Sequence, residues 1–371
     1  MVPLALVLAL THASTPGLPG ISEDDSEDIR ILVGRGEGTL LVGGSGLQIS
    51  VGGRWSQLEG SELRVSCSLA GLRLPGIPDA PGLAVLRAIG PLRVGSSELR
   101  GSLEVRCQGR RWLAINVLPL EEYLVAVLGG EMPPTFPAQA LEAQAVAARS
   151  YALHRKVEAM QQGLLYHLDS TVLSQVYGGM AREDGRTRAA VEATRGEVLA
   201  YGMLPVEAYF HASCGGRTET GAAALGRDEP YLVSVSCPGA RRSPYAHWTV
   251  RVTPAELGRL ARPLVGSGEV TGLRVVSRTA TGRARTLQLS TTEGLRTVAA
   301  TQLRAALGYV RLPSLWFDVH GTDGVLVFEG QGAGHGAGLC QWGARVLAEE
   351  GQGYREILAH YYPGTELRKI Y

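Results

Sequence analysis

The stretch LPLEEYLVAVLGGEMPPTFPAQALEAQAVAARSY, Leu118–Tyr151, reads as two helices with one acid held between them. Pro119 sits near the start of the first, where its missing N–H costs nothing. Leu120, Tyr123, Leu124, Val127 and Leu128 then recur at helical spacing. Gly129-Gly130 predicts a stop, because glycine readily takes the left-handed conformation that closes a helix. A second, alanine-rich helix is expected from about Thr135-Phe136-Pro137 through Leu153, with Leu141, Ala145, Ala148 and Ala152 on one face. Glu131 is then the acid of a Gly-Gly-Glu-Met-Pro-Pro turn pinned on both sides, where a carboxyl can be aimed at a ligand. The plainer alternative is a solvated turn residue, or a carboxylate near the positive end of the second helix.

Outward from this pair the chain changes character. Between Ile29 and Val117, short alternating runs such as Ile29-Arg-Ile-Leu-Val, Leu47-Gln-Ile-Ser-Val and Trp112-Leu-Ala-Ile-Asn are separated by glycines, which predicts a β-rich module over 29–117. A mixed core is expected over 118–371, interrupted at about 244–319 by a small α/β subdomain. There Trp248-Thr-Val-Arg-Val reads as a strand, Pro254–Leu260 as a helix, Leu273–Val276 and Thr286–Ser290 as paired strands, and Val298–Leu307 as a second helix. The fold class is α+β, with a long groove in the core. Val2–Ala13 is a short apolar run ending at small residues, read as a signal peptide over 1–14, with an acidic linker over 15–28. No other segment is apolar enough to span a membrane. A net charge of +1 gives no footprint for nucleic acid.

Several later motifs stand in a fixed order. They are Ser174-Gln175-Val176-Tyr177-Gly178-Gly179, Ala189–Tyr201 and Ala208-Tyr-Phe-His211-Ala-Ser-Cys214-Gly-Gly-Arg-Thr-Glu219. Then come Gly332-Ala-Gly-His335-Gly-Ala-Gly-Leu-Cys340-Gln341-Trp342-Gly-Ala344 and His360-Tyr-Tyr-Pro-Gly-Thr365. Together with Leu118–Tyr151 they resemble the stage II sporulation protein D family (SpoIID/LytB) from about residue 100 to the C-terminus. The run Gly330–Gly338 is not a dinucleotide turn, since too few residues follow for a second strand, a crossover helix and a ribose-binding acid.

The resemblance implies a peptidoglycan lytic transglycosylase with Glu131 as its one catalytic residue. Ordinary glycosidases use two carboxyls. A lytic transglycosylase works with one, because the muramyl C6 hydroxyl is the nucleophile and the product is a 1,6-anhydro sugar. Arg149, Gln175, Tyr177, His335 and Gln341 are the implied supporting residues, each with a structural role as the alternative. No cofactor is implied. The implied partners are peptidoglycan glycan strands and, for a non-catalytic amidase-enhancer role, a cell-wall amidase. The implied location is exported, in the periplasm or cell envelope. Glu142 stands where the family commonly has lysine; a like charge close to Glu131 would raise its pKa, and a pairing with Arg149 is the other possibility.

Five cysteines suit an exported protein with two disulfides, Cys67 with Cys107 and Cys214 with Cys237, leaving Cys340 as a thiol; ordinary buried thiols are the alternative. Some family members carry a His/Cys cluster before the glutamine-valine-tyrosine segment, but Tyr166–Gln175 here has no cysteine. His211 and Cys214 have metal-like spacing, with Cys237 as a possible third ligand. The disulfide is the simpler reading, so no metal is expected.

Overall fold

The computed structural model describes residues 28–371 apart from 81, 171–174, 238, 240–241 and 323. The signal peptide and most of the linker read from the sequence, like Ser174, lie outside the described residues. The fold is α+β, with sheets and helices segregated along the chain.

Residues 28–119 build two antiparallel sheets from the glycine-punctuated strands. One runs, in spatial order, Leu168–Asp169, Asp28–Glu37, Arg111–Pro119, Ser102–Gln108, Leu83–Arg87, Gln48–Val51 and Arg54–Gln57; the first pair is its single parallel pair. The other runs Ser97–Leu99, Leu92–Val94, Thr39–Gly43, Glu62–Ser68, Gly71–Leu74 and Ile77–Ala80. Alternation puts Leu40, Val42, Leu63 and Val65 of one sheet and Leu86, Leu103 and Val105 of the other into one buried cluster. Cys67 and Cys107 are joined by a disulfide, which links a strand of each sheet.

No linker separates these sheets from the helices. Strand Arg111–Pro119 passes directly into helix α1, Leu120–Glu131. Helix α2, Ala138–Gln161, returns the chain to the edge strand Leu168–Asp169 beside Asp28–Glu37. One buried cluster accordingly runs from Ile29 through the helices to Tyr362.

Two boundaries differ from expectation. Helix α1 does not stop at Gly129-Gly130 but continues through them to Glu131. The glycines serve close packing: a Cβ on Gly129 would lie 1.9 Å from the Arg182 carbonyl oxygen, and one on Gly130 2.8 Å from that of Val176. Helix α2 passes Leu153 and ends at Gln161, long enough to meet the C-terminal helices as well as α1.

A second buried cluster gathers Val252, Leu257, Val265, Leu273, Leu287, Leu289, Leu303 and Phe328. Strand Trp248–Val252 pairs with Val325–Gly330, which pairs with Phe317–Thr322, so this packing runs past the expected limit at Val319. Elsewhere, Glu366–Lys369 pairs with Glu197–Tyr201, and Phe210–His211 lies parallel to Leu339–Cys340.

Candidate functional site

Glu131 is the last residue of α1, and the chain turns extended at Met132. Met132 and Phe136 are buried on the far side of the turn, while Pro133 stays exposed. The ring of Trp342, from the helix Gln341–Glu349, packs edge-on against Phe136 with centroids 5.2 Å apart. The glycine-histidine box therefore reaches the acid's turn through Trp342.

The Glu131 carboxylate accepts one backbone hydrogen bond, from Val176 N–H at 2.7 Å. Burial raises its pKa above the ordinary carboxyl value, with the Val176 bond opposing the shift. Its place at the C-terminal end of α1, among carbonyls with no partner ahead of them, further disfavours the charged form. Glu142 has no part in this. Its charged neighbour is Glu197, and it accepts from Gln139 Nε2 at 2.8 Å.

The supporting residues are corrected by their partners. Arg149 is 0% exposed and grips both oxygens of Glu121, Nε at 2.9 Å and Nη2 at 2.8 Å, while Nη1 donates to the Glu197 carbonyl at 3.0 Å. It pairs neither with Glu142 nor with Glu131; it clamps α1 to α2 and to the strand at Glu197. Gln175 is fully buried, accepting from the Tyr123 hydroxyl at 2.9 Å and donating to the Ala148 carbonyl at 3.2 Å. Tyr177 donates to Asn116 Oδ1 at 2.7 Å, and Asn116 donates on to the Arg100 and Ser102 carbonyls. These three side chains direct their polar groups into the fold. What their segment offers Glu131 is a main-chain N–H, which no residue pattern reveals.

His335 makes two main-chain bonds, Nε2 with the Phe210 carbonyl at 2.8 Å and Nδ1 with Ala337 N–H at 3.2 Å, so it is the histidine tied into structure. The box glycines serve the same packing: a Cβ on Gly338, whose φ is 69°, would sit 2.0 Å from the Tyr209 carbonyl oxygen. Gln341 is buried and its Nε2 lies 3.4 Å from Gln144 Oε1.

The expected Cys214–Cys237 bridge is absent. Both are buried free thiols, and Cys340 joins them in one cluster because the Phe210–His211 strand lies beside Leu339–Cys340. Pairing by sequence region failed because the tertiary fold brings a third thiol into the same cluster. A cleft of about 590 Å³ lies away from Glu131, lined by residues including Trp248, Arg278, Trp316, Asp318 and Glu329. Among the described residues, no helix is long and apolar enough to cross a membrane.

Comparison with known proteins agrees with the motif order. A family model described as Stage II sporulation protein matches residues 108–201, and one described as a domain of unknown function matches 245–338. The stage II sporulation protein D of Bacillus subtilis is 32% identical over 278 residues, covering 68% of this chain and 76% of its own. An uncharacterized protein of Brachyspira hyodysenteriae is 33% identical over 271 residues, covering 73% of this chain and 72% of its own. A protein of Bacillus subtilis named Amidase enhancer is 28% identical over 295 residues, 66% of this chain and 40% of its own length.

Proposed function

This chain belongs to the stage II sporulation protein D family (SpoIID/LytB), and on that premise we propose that it is a cell-wall protein that cleaves peptidoglycan glycan strands as a lytic transglycosylase. The observation that carries the reading is Glu131: a carboxyl with a raised pKa and, among the described residues, one main-chain donor and no basic side chain bonded to it. A raised pKa favours the protonated form that a general acid needs.

Glu131 donates its proton to the oxygen between N-acetylmuramic acid and N-acetylglucosamine as the C1–O bond breaks. The resulting carboxylate then takes the proton from the muramyl C6 hydroxyl while that oxygen bonds to C1. The proton count closes on the same residue, and water is not consumed. The Val176 N–H holds one carboxylate oxygen in place through both steps. The Cys67–Cys107 disulfide favours an oxidising compartment, in keeping with export to the envelope.

The second reading has support from the relative named Amidase enhancer: a glycan-binding protein that recruits or stimulates a wall amidase without cleaving. Mass spectrometry of products from purified peptidoglycan separates the two. Release of 1,6-anhydromuramic acid ends, lost in Glu131→Gln, supports the transglycosylase. A reducing muramyl end would mean that water attacked and that a second carboxyl takes part. No release at all, with amidase stimulation intact in Glu131→Gln, would put the enhancer reading in its place.

A further inference from the structure

Behind the Trp342 helix, four side chains meet with more ligand chemistry than the fold itself uses. His211 and Cys340 are register partners in the parallel pair Phe210–His211 and Leu339–Cys340, and Cys214 follows three residues after His211. A ring nitrogen of His211 and the Sγ atoms of Cys214 and Cys340 all lie within 4.8 Å of one another. Cys237 neighbours both those thiols, and its Sγ lies 3.3 Å from the Tyr361 hydroxyl. All four residues are buried.

The histidine is the telling member. Its Nδ1 lies 3.0 Å from the Ala337 carbonyl, which can only accept, so Nδ1 carries the hydrogen and Nε2 presents a lone pair. Nε2 is buried and, among the described residues, has no hydrogen-bond partner. A neutral imidazole with one nitrogen anchored to a carbonyl and the other unfilled is the arrangement that metal-binding histidines adopt.

The sulfurs are prepared in the same way. Cys340 Sγ accepts from Cys214 N–H at 3.2 Å and Gly343 N–H at 3.3 Å, and Cys214 Sγ accepts from Gly216 N–H at 3.4 Å. Cys340 also caps the N-terminus of the helix Gln341–Glu349. The Arg283 guanidinium, bonded to the Cys214 carbonyl at 2.7 Å, supplies nearby positive charge. A disulfide between any two of the three cysteines would still leave His211 Nε2 unsatisfied. A tetrahedral cation would engage it together with the sulfurs.

We propose that His211, Cys214, Cys237 and Cys340 form a structural Zn²⁺ site. Zinc–sulfur bonds of about 2.3 Å imply sulfur separations of about 3.8 Å, so His211, Cys214 and Cys340 need to draw in by about an ångström, while Cys237, outside that tight group, has farther to move. With four protein ligands and no exposed position the site is closed, so its work is to hold segments together rather than to do chemistry. It ties 211–214 and 237 to 340, the start of the helix whose Trp342 packs against Phe136 beside Glu131. This departs from the sequence expectation of no metal, and it stands whether or not Glu131 cleaves glycan.

The test uses the full chain, purified under reductant, stripped with a chelator and reconstituted with Zn²⁺ or Co²⁺. One equivalent of zinc by elemental analysis is expected, together with a Co²⁺ spectrum showing thiolate charge transfer and tetrahedral ligand-field bands. Thermal stability should fall on chelation. Cys214→Ser and Cys340→Ser should each lose the equivalent, judged on samples whose circular dichroism is native. If neither variant folds, the stoichiometry and cobalt spectrum of the unmutated chain decide alone. Absence of uptake by folded, reduced protein would overturn the proposal, as would zinc retained by both serine variants. A second disulfide in the intact mass of freshly isolated protein would do the same. Metal content is read without substrate, so its failure is separate from failure of the transglycosylase reading.

Discussion

Helix α1 carries a carboxylate near each end, and the two ends are electrostatic opposites. Glu121 lies in the first turn, where the helix dipole favours an anion, and it is surrounded by donors. Arg149 binds both its oxygens, the Tyr371 hydroxyl donates at 2.5 Å, and Gly196 N–H approaches at 3.4 Å. Burial pushes its pKa up, but those partners more than offset the push and hold it below the ordinary value. Glu131, at the other end, is half-buried with one main-chain donor among the described residues and the unfavourable end of the dipole, so desolvation raises its pKa. Same residue type, same helix: one acid is favoured as an anion and the other is pushed toward its protonated form. Diverging environments for two carboxyls are the physical mark of divided roles.

The largest effect that would break this contrast is on catalysis. Glu131→Gln should lower the release of anhydro ends by about 10²–10⁴-fold, the usual worth of general acid–base participation. Its folding stability at neutral pH should not fall. A group whose folded pKa is raised adds stability only at low pH, and that stability is lost as pH rises through the folded pKa. A destabilised Glu131→Gln protein, measured by urea denaturation, would mean that the carboxylate is a structural anion after all. By the same sign, cleavage by the unmutated protein should fall on the alkaline side, as the acid loses its proton.

At the other end of the helix the loss should be in stability. Arg149→Met leaves Glu121 buried without its main partner, which costs about 3–5 kcal/mol. Because the folded pKa of Glu121 is depressed, the stability it contributes is present above its unfolded pKa and drains away as pH falls through the folded pKa. The unmutated chain should therefore lose more stability on acidification than Arg149→Met does. Equal acid sensitivity in urea titrations at several pH values would place the linkage elsewhere.

Gly129→Ala probes the packing that aims Glu131. Its Cβ would meet the Arg182 carbonyl at 1.9 Å, and overpacking of this kind costs about 1–3 kcal/mol. It should also reduce cleavage, because Arg182 and Val176 belong to the one stretch of chain laid against Gly129 and Gly130. Unchanged denaturation and unchanged cleavage would show that the close approach has no consequence.

The smallest effect is expected at Tyr177. Removing its hydroxyl in Tyr177→Phe forfeits the bond to Asn116, worth about 0.5–1.5 kcal/mol, and leaves cleavage intact. A fall in kcat without loss of stability would return Tyr177 to the substrate.

The sequence by itself determined the α+β class, the helix–acid–helix unit, the β-rich start and the family, because these rest on local periodicity, glycine punctuation and motif order. It also gave Cys67 with Cys107 as a pair, two strands of one module needing only ordinary sheet packing to meet, and pointed to Glu131 as the acid of the proposed reaction. The tertiary structure alone decided what the polar residues face. Arg149 found Glu121 rather than Glu142 because α1 and α2 cross there, and helical spacing within α2 says nothing about its neighbour. Gln175 and Tyr177 turned inward to satisfy Ala148 and Asn116, since a buried amide or phenol must find a partner wherever the packing supplies one. Cys340 joined Cys214 and Cys237 across more than a hundred residues through the strand pair at His211 and Cys340. Spacing along a chain carries no information about such pairs, because contact between distant segments is set by the packing of the whole core.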